Sequence, residues 1–350
     1  MQIVEAMVDA DVFDAAGGAA YLLRAGERYV VYDSEAGLGL RQGAFRSIAG
    51  VDRVLSPYNR EPLRRQRLVL PFIGRLGDAV VTASCVTALK ERYPDIRVDI
   101  AAVEATRGLF ELMPRVGQLL PYPLEASRLA DYDYYLSFES VEAVPDGSAR
   151  PCADVFSSCL RTPRPAHPPT VTIPREVVQR WRLEKADRPR VAVHVGRPGS
   201  LRSFPADLFP QLIRRLAADG YGVYLVGDQA GADVSPGNVD LCYDCRDRTP
   251  TPADLAALLG QMDVVVTGDS FPMHLAGAMG VATVAIFTAT DAVLASDYPS
   301  VTGVQSRESC SPCRVADGRC PLGHAECTAH RHSSVSADSI VALVAELVGC

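Results

Sequence analysis

Three short segments place reactive side chains where an apolar run hands over to a helical one. The first is Gly74-Arg75-Leu76-Gly77-Asp78. A carboxylate in such a turn stands at the carboxyl edge of a sheet, where it can accept the proton of an attacking hydroxyl. Asp is also a common helix cap, and the spacing alone favours the cap. The second is Gly268-Asp269-Ser270-Phe271-Pro272-Met273-His274-Leu275-Ala276, after Val264-Val265-Val266. Pro272 suits the first helical position, which puts nearby amides and the Ser270 hydroxyl at a helix N-terminus that favours bound phosphate. His274 then stands one short turn inside, able to donate to a ligand oxygen; a capped helix with a buried histidine is the plainer alternative. The third is Val195 to Pro205, where Gly196, Gly199 and Ser200 form a small-residue loop and Arg197 and Arg202 add positive charge. Such a loop lets backbone approach a diphosphate closely.

A fourth cluster suggests metal. Cys310-x2-Cys313-x6-Cys320-x6-Cys327 offers four thiolates in a loop rich in Gly and Pro, which suits a tetrahedral zinc or iron site. Reduced thiols are the bland alternative. The chain holds ten cysteines, and in a reducing compartment clustering of this kind favours metal or redox chemistry over disulfides. Cys242-Tyr243-Asp244-Cys245 is a second CxxC, read as structural because it falls between a strand and a helix.

The elements that must position these groups alternate. Leu68 to Phe72 reads as a buried strand that Pro71 ends or bends. A helix from Asp78 to Arg92 follows, with Val80, Val81, Ala88 and Leu89 on one face and Pro94 as its stop. Strands are expected at Val98 to Val103 and Tyr132 to Phe138. A second series has strands at Val191 to Val195, Gly222 to Val226, Val264 to Thr267 and Val281 to Phe287. Its helices run from Leu208 to Ala218, Pro252 to Met262 and His274 to Met279. This alternation indicates parallel α/β sheets. Residues 163–174 carry five prolines in twelve positions and read as a linker. The expected domains are a β-rich N-terminal domain over 1–66, a Rossmann-like acceptor lobe over 67–174, a nucleotide-sugar lobe over 175–335 that includes the loop 310–327, and a helix over 336–350. In the first of these, Gly17-Gly18 and Gly37-Leu38-Gly39 are expected to supply turns. Two such lobes place a ligand cleft at the carboxyl ends of their sheets.

Bulk properties narrow the function. The net charge of -7 argues against nucleic acid as a partner. Hydrophobic residues make up 48% of the chain, enough for sizeable cores, so disorder is not expected. Residues 1–12 carry three acidic residues and no cationic start, and the apolar runs are too short for a bilayer. The protein therefore reads as cytoplasmic, with at most peripheral membrane contact.

Taken together and in order, the Leu-Gly-Asp turn, Arg202 ahead of Phe204-Pro205, the Asp-Ser-x-Pro-Met-His-Leu-Ala segment and the cysteine-bearing tail resemble glycosyltransferase family 9, the ADP-heptose-dependent heptosyltransferases. The resemblance covers roughly residues 68 to 345. It implies a GT-B fold, an inverting single displacement and no metal in the chemical step. It also implies Asp78 as general base, Arg202 at the donor diphosphate where a lysine is usual, and Asp269, Ser270 and His274 around the donor sugar and phosphates. Phe271 departs from a usual glycine beside the donor, Arg75 from a small polar residue beside the base, and Thr288 from a glycine. A branch of heptosyltransferases that modify proteins carries an iron-bound cysteine finger and an extra N-terminal β domain, and both features look similar here.

The expected activity is transfer of heptose from ADP-heptose to a glycan-core or protein hydroxyl, with homo-oligomerisation left open. Two alternatives stand beside it. One is a GT-B-type nucleotide-sugar epimerase, which would need further acid and base groups than the sequence offers. The other is a metal-bearing assembly or binding protein on a decayed transferase scaffold.

Overall fold

The computed structural model describes residues 1–13, 19–138, 150–185, 187–194, 196, 208–227, 239–295, 297–313, 320, 322–323 and 335–349. These form two compact units, one within Met1–Val144 and Ala153–Pro169, the other within Pro145–Cys152 and Thr170–Cys350. The last passage between units, from Pro169 to Thr170, falls inside the proline-dense stretch. The architecture is mixed α/β with parallel sheets.

The first unit is centred on a five-stranded parallel sheet ordered Ser56–Pro57, Tyr134–Tyr135, Arg67–Phe72, Arg97–Ala102, Leu119–Pro121. Leu68, Val69, Leu70 and Phe72 are all buried, as a strand covered on both faces requires. From Arg67–Phe72 the chain steps outward through Arg97–Ala102 to Leu119–Pro121, then returns to the other side at Tyr134–Tyr135. The order reverses between Arg67–Phe72 and Tyr134–Tyr135, and a reversal opens a crevice at the carboxyl ends of the strands. The strand expected over Tyr132 to Phe138 shrinks to two residues, with consequences for that crevice.

The first 66 residues add a layer to this unit. An antiparallel sheet runs Leu124–Glu125, Arg28–Val31, Gln2–Ala6, Phe45–Gly50, its outermost short strand lent by a later part of the chain. A hairpin, Ala10–Phe13 with Ala19–Leu23, and a helix, Asp33–Arg41, complete it. Ile3, Val30 and Tyr32 share one core with Val69, Ala101, Leu120 and Tyr135 of the parallel sheet and with Tyr122 just after its edge strand. The layer is thus packed into the lobe instead of being tethered to it. The turn expected at Gly37-Leu38-Gly39 is instead the middle of the helix Asp33–Arg41. The reason is steric: a Cβ on Gly39 would lie 2.0 Å from Phe45 Cδ2, so glycine is present to let the Phe45 ring lie on the helix. Gly17-Gly18 lies outside the described residues.

The second unit is a six-stranded, wholly parallel sheet ordered Cys242–Asp244, Gly222–Val226, Arg190–His194, Val264–Gly268, Thr283–Phe287, Val301–Gln305. Val191, Val193, Val223, Val264, Val266 and Ile286 share a core with the helices Leu208–Ala218 and Ala337–Gly349. Ala285 and Phe287 form another with Met273 of the helix Phe271–Ala278. The two edge strands were not expected, because both are only partly buried and lack a continuous apolar run. Here the order reverses between Arg190–His194 and Val264–Gly268. Among the described residues, no helix is long and apolar enough to cross a membrane.

Candidate functional site

In the first unit, Arg67–Phe72 ends at the reversal and the chain turns through Ile73-Gly74-Arg75 into the helix Leu76–Arg92. Gly74 makes the turn tight: a Cβ there would lie 2.7 Å from Phe72 Cζ and 3.1 Å from Asp78 Cβ. The Phe72 ring is wedged in turn by Phe110 at 5.1 Å and Phe138 at 6.1 Å between centroids. Asp78 is the third residue of the helix, with Arg75 in the capping position. Its Oδ2 accepts the Arg75 N–H at 2.9 Å, satisfying a donor that the start of a helix leaves over. Its Oδ1 has no hydrogen-bond partner among the described residues. One oxygen of this half-buried carboxylate is thus engaged at the helix start, and the other has no partner among the described residues. The Thr82 hydroxyl donates to the Asp78 carbonyl at 2.7 Å, while Ile73 and Arg75 are exposed beside it.

In the second unit, the ends of the two strands at the reversal meet through their side chains. His194 Nδ1 lies 3.2 Å from Thr267 Oγ1 and 3.2 Å from Ser270 Oγ, and the two hydroxyls are 3.0 Å apart. Ser270 occupies the N-cap position of the helix Phe271–Ala278, but its side chain makes no cap bond. It turns instead to His194, Thr267 and the Gly268 carbonyl at 3.3 Å. The first-turn amides thus receive no acceptor from Ser270, the state in which a helix N-terminus can meet an anionic group. Phe271, half-buried, takes the first helical position and Pro272 the second, one place later than expected. The shift costs nothing, because amides throughout the first turn lack partners within the helix.

Asp269 is buried, and its Oδ2 accepts the Thr290 hydroxyl at 2.7 Å, which fastens the loop after Thr283–Phe287. His274 Nδ1 lies 3.0 Å from the Tyr298 hydroxyl, with the two rings edge to face at 5.8 Å. Gly277 makes room for that tyrosine: a Cβ there would stand 2.6 Å from Tyr298 Cγ. Sequence reasoning missed His194, Thr267, Thr290 and Tyr298. The one available signal was for His194, which ends the strand before the basic loop and so faces the reversal.

Gly199, Ser200 and Arg202 lie outside the described residues, as does Cys327. Cys310, Cys313 and Cys320 are half-buried. Their segment begins at the same sheet edge: the Ser311 hydroxyl donates to the Thr288 carbonyl and accepts from Gln305 Nε2, each at 2.8 Å. Among the described residues, no group of three or more His, Cys, Asp or Glu side chains is placed to hold a metal ion. Burial pushes the Cys242 thiol up to about 11, which leaves little thiolate at neutral pH.

No curated protein matches the chain. Three solved structures resemble it closely in fold. The ADP-heptose LPS heptosyltransferase II of E. coli is 18% identical with a TM-score of 0.63, over 81% of this chain and 98% of that one. A family 9 glycosyltransferase from Veillonella parvula is 16% identical with a TM-score of 0.67, over 83% and 99%. TibC, an iron-containing dodecameric glycosyltransferase of enterotoxigenic E. coli also solved with ADP-D-β-D-heptose, is 13% identical with a TM-score of 0.59. That alignment covers 99% of this chain and 93% of TibC, N-terminal layer included. Residues 153–323 match the family model of glycosyltransferase family 9 (heptosyltransferase). The chain therefore carries a glycosyltransferase family 9 domain.

Proposed function

We propose that this protein is an inverting glycosyltransferase of GT-B type that moves heptose from ADP-heptose to an acceptor hydroxyl. The observation that carries the reading is the divided carboxylate of Asp78, one oxygen held by the Arg75 N–H and the other without a partner among the described residues. Asp78 takes the acceptor proton as the acceptor oxygen attacks C1 of the sugar. The bond from C1 to the diphosphate breaks on the opposite face, so the configuration inverts. ADP leaves with added negative charge, which the amides at the start of Phe271–Ala278 and the Arg202 guanidinium offset. As the family resemblance implies, no metal takes part in this step.

Heptosyltransferase II and TibC share the fold, and both are heptosyltransferases, which supports the choice of donor. The acceptor hydroxyl belongs to a glycan core or a protein. We read Cys310, Cys313, Cys320 and Cys327 as ligands of one structural zinc or iron ion.

The test is nucleotide release from a panel of ADP- and UDP-sugars, with and without candidate acceptors. ADP-heptose is expected to be turned over, and Asp78→Asn to lower turnover by about a hundredfold or more while leaving ADP affinity unchanged. Near-normal turnover in Asp78→Asn would reduce Asp78 to a helix-start residue. Binding without turnover of any donor would favour the decayed-scaffold reading instead.

A further inference from the structure

A tyrosine from the N-terminal layer stands in the gap where the first unit's strand order reverses. The carbonyls of Arg67 and Val69 face the neighbouring strand, accepting the N–H groups of Asp133 at 2.8 Å and Leu136 at 2.9 Å. Alternation along the strand puts the Pro71 carbonyl on that same side. Pairing with Tyr134–Tyr135 stops short of it, at Val69, and Pro71 has no N–H with which to extend the ladder. The Tyr32 hydroxyl fills the place, donating to the Pro71 carbonyl at 2.7 Å. The backbone of Phe138, where the neighbouring strand would have continued, faces the same hydroxyl. One phenol thus replaces a rung of the sheet at the reversal, four residues before Arg75.

Tyr32 is itself fixed. It is buried, and its N–H is shared between Glu35 Oε2 at 3.2 Å and the Tyr122 hydroxyl at 3.3 Å. Tyr122 also donates to Glu35 Oε2, and Tyr21 donates to Oε1 at 2.8 Å. Burial and the Glu35 carboxylate hold the Tyr21 and Tyr122 hydroxyls in their protonated, donating form. The cluster joins the hairpin, the helix Asp33–Arg41 and the loop after Leu119–Pro121 around a single backbone contact with the strand that leads to Asp78.

We propose that Tyr32 is a positioning residue for the Asp78 turn: its hydroxyl pins the end of Arg67–Phe72, and so sets where Gly74, Arg75 and the Asp78 carboxylate stand. This rests on Asp78 being the base. It gives the N-terminal layer a part in the reaction that does not depend on its touching donor or acceptor. A merely structural tyrosine would change global stability and little else when its hydroxyl is removed, because the ring keeps its packing.

Tyr32→Phe separates the two by amide hydrogen exchange and by ADP release from ADP-heptose. Exchange over residues 72–79 is expected to accelerate severalfold while the strand Arg97–Ala102 keeps its protection. ADP release is expected to fall about tenfold, within the range a small misplacement of a catalytic group can cost, with ADP affinity unchanged. Unchanged exchange over 72–79 overturns the proposal. So does full ADP release by Tyr32→Phe when Asp78→Asn abolishes it. If Asp78→Asn is itself fully active, the base reading fails, and the exchange result still decides whether Tyr32 holds the turn. Should Tyr32→Phe not fold, Tyr122→Phe removes one acceptor of the Tyr32 N–H and leaves Tyr32 in place. A smaller change in the same two readouts is then expected, and none at all overturns the proposal equally.

Discussion

The Ser270 hydroxyl lies 3.2 Å from His194 Nδ1, joining the helix Phe271–Ala278 to the strand Arg190–His194 across the point where the strand order reverses. Ser270 holds the cap position without capping. Its replacement should therefore cost less stability than the ~1 kcal/mol usual for a lost N-cap, since Thr267 and His194 keep their own contact at 3.2 Å.

Ser270→Ala is expected to weaken ADP binding by about 0.5–1.5 kcal/mol, the net worth of one neutral hydrogen bond, with a nearly unchanged melting temperature. Calorimetry with ADP and a thermal melt measure the two together. A large loss of stability with unaltered ADP affinity would make Ser270 an ordinary helix-start residue.

Two glycines on one helix should respond with opposite signs. Alanine is a better helix former than glycine by up to ~1 kcal/mol. At Gly37 a Cβ would meet, among the described residues, only Arg41 Nη1, at 3.5 Å, so Gly37→Ala should raise stability by about 0.5–1 kcal/mol. At Gly39 it would overlap the Phe45 ring, so Gly39→Ala should lower stability by about 1–3 kcal/mol, the usual cost of overpacking. Urea titrations of both variants decide it; a shared sign would mean that the Phe45 contact does not govern this helix.

Acid stability of the second unit should depend on Asp254. Burial would raise this carboxyl, but hydrogen bonds from Thr251, Trp181 and Arg180 outweigh it and hold it below the ordinary range. The Trp181 and Arg180 bonds, at 2.8 Å and 2.5 Å, tie the helix Arg175–Arg180 and its following residue to Pro252–Leu259. A depressed folded-state value means the stabilisation is fully present above the unfolded value of about 3.9 and is lost as pH falls through the folded one. The melting temperature should hold steady down to about pH 5 and then decline. Asp254→Asn should start lower and lose less over that acid range. Parallel acid slopes for the two proteins would exclude Asp254 as the source.

How far the sequence carries depends on how local the cause is. Leu208–Ala218 runs between the limits its apolar spacing predicts, because one face alone decides that helix. Gly37 and Gly39 mislead, because glycine reports a turn or a close contact equally well, and the Phe45 contact exists only once the sheet has formed. Asp78 was legible as a carboxylate at a turn, yet spacing could not show that only one of its oxygens is engaged by the Arg75 N–H. For His194 only its place at a strand end was legible, since its partners Thr267 and Ser270 lie 73 and 76 residues away and carry no motif that points back to it. Tyr32 was hidden for the same reason, its partner Pro71 being 39 residues on.

The cysteines make the remaining prediction. The segment from Cys310 to Cys327 is rich in Gly and Pro and offers little apolar area with which to offset the entropy of ordering. Its start is held by ordinary polar contacts, Ser311 to the Thr288 carbonyl and to Gln305. Nothing comparable is evident in the composition of the rest, and four thiolates on one ion would supply it, because metal binding free energy becomes folding free energy for such a loop. Four protein ligands would leave no open coordination position, so the ion's role would be structural. Protein purified without added metal should contain about one equivalent of zinc or iron, and changing Cys310 and Cys313 together to Ser should remove it. The same double variant should melt at a lower temperature but keep measurable ADP release, since Asp78 and the Ser270 helix start lie outside the segment. Metal-free protein with all four thiols freely titratable and full activity would defeat the idea, and loss of activity at unchanged stability would give the ion a role in the reaction instead.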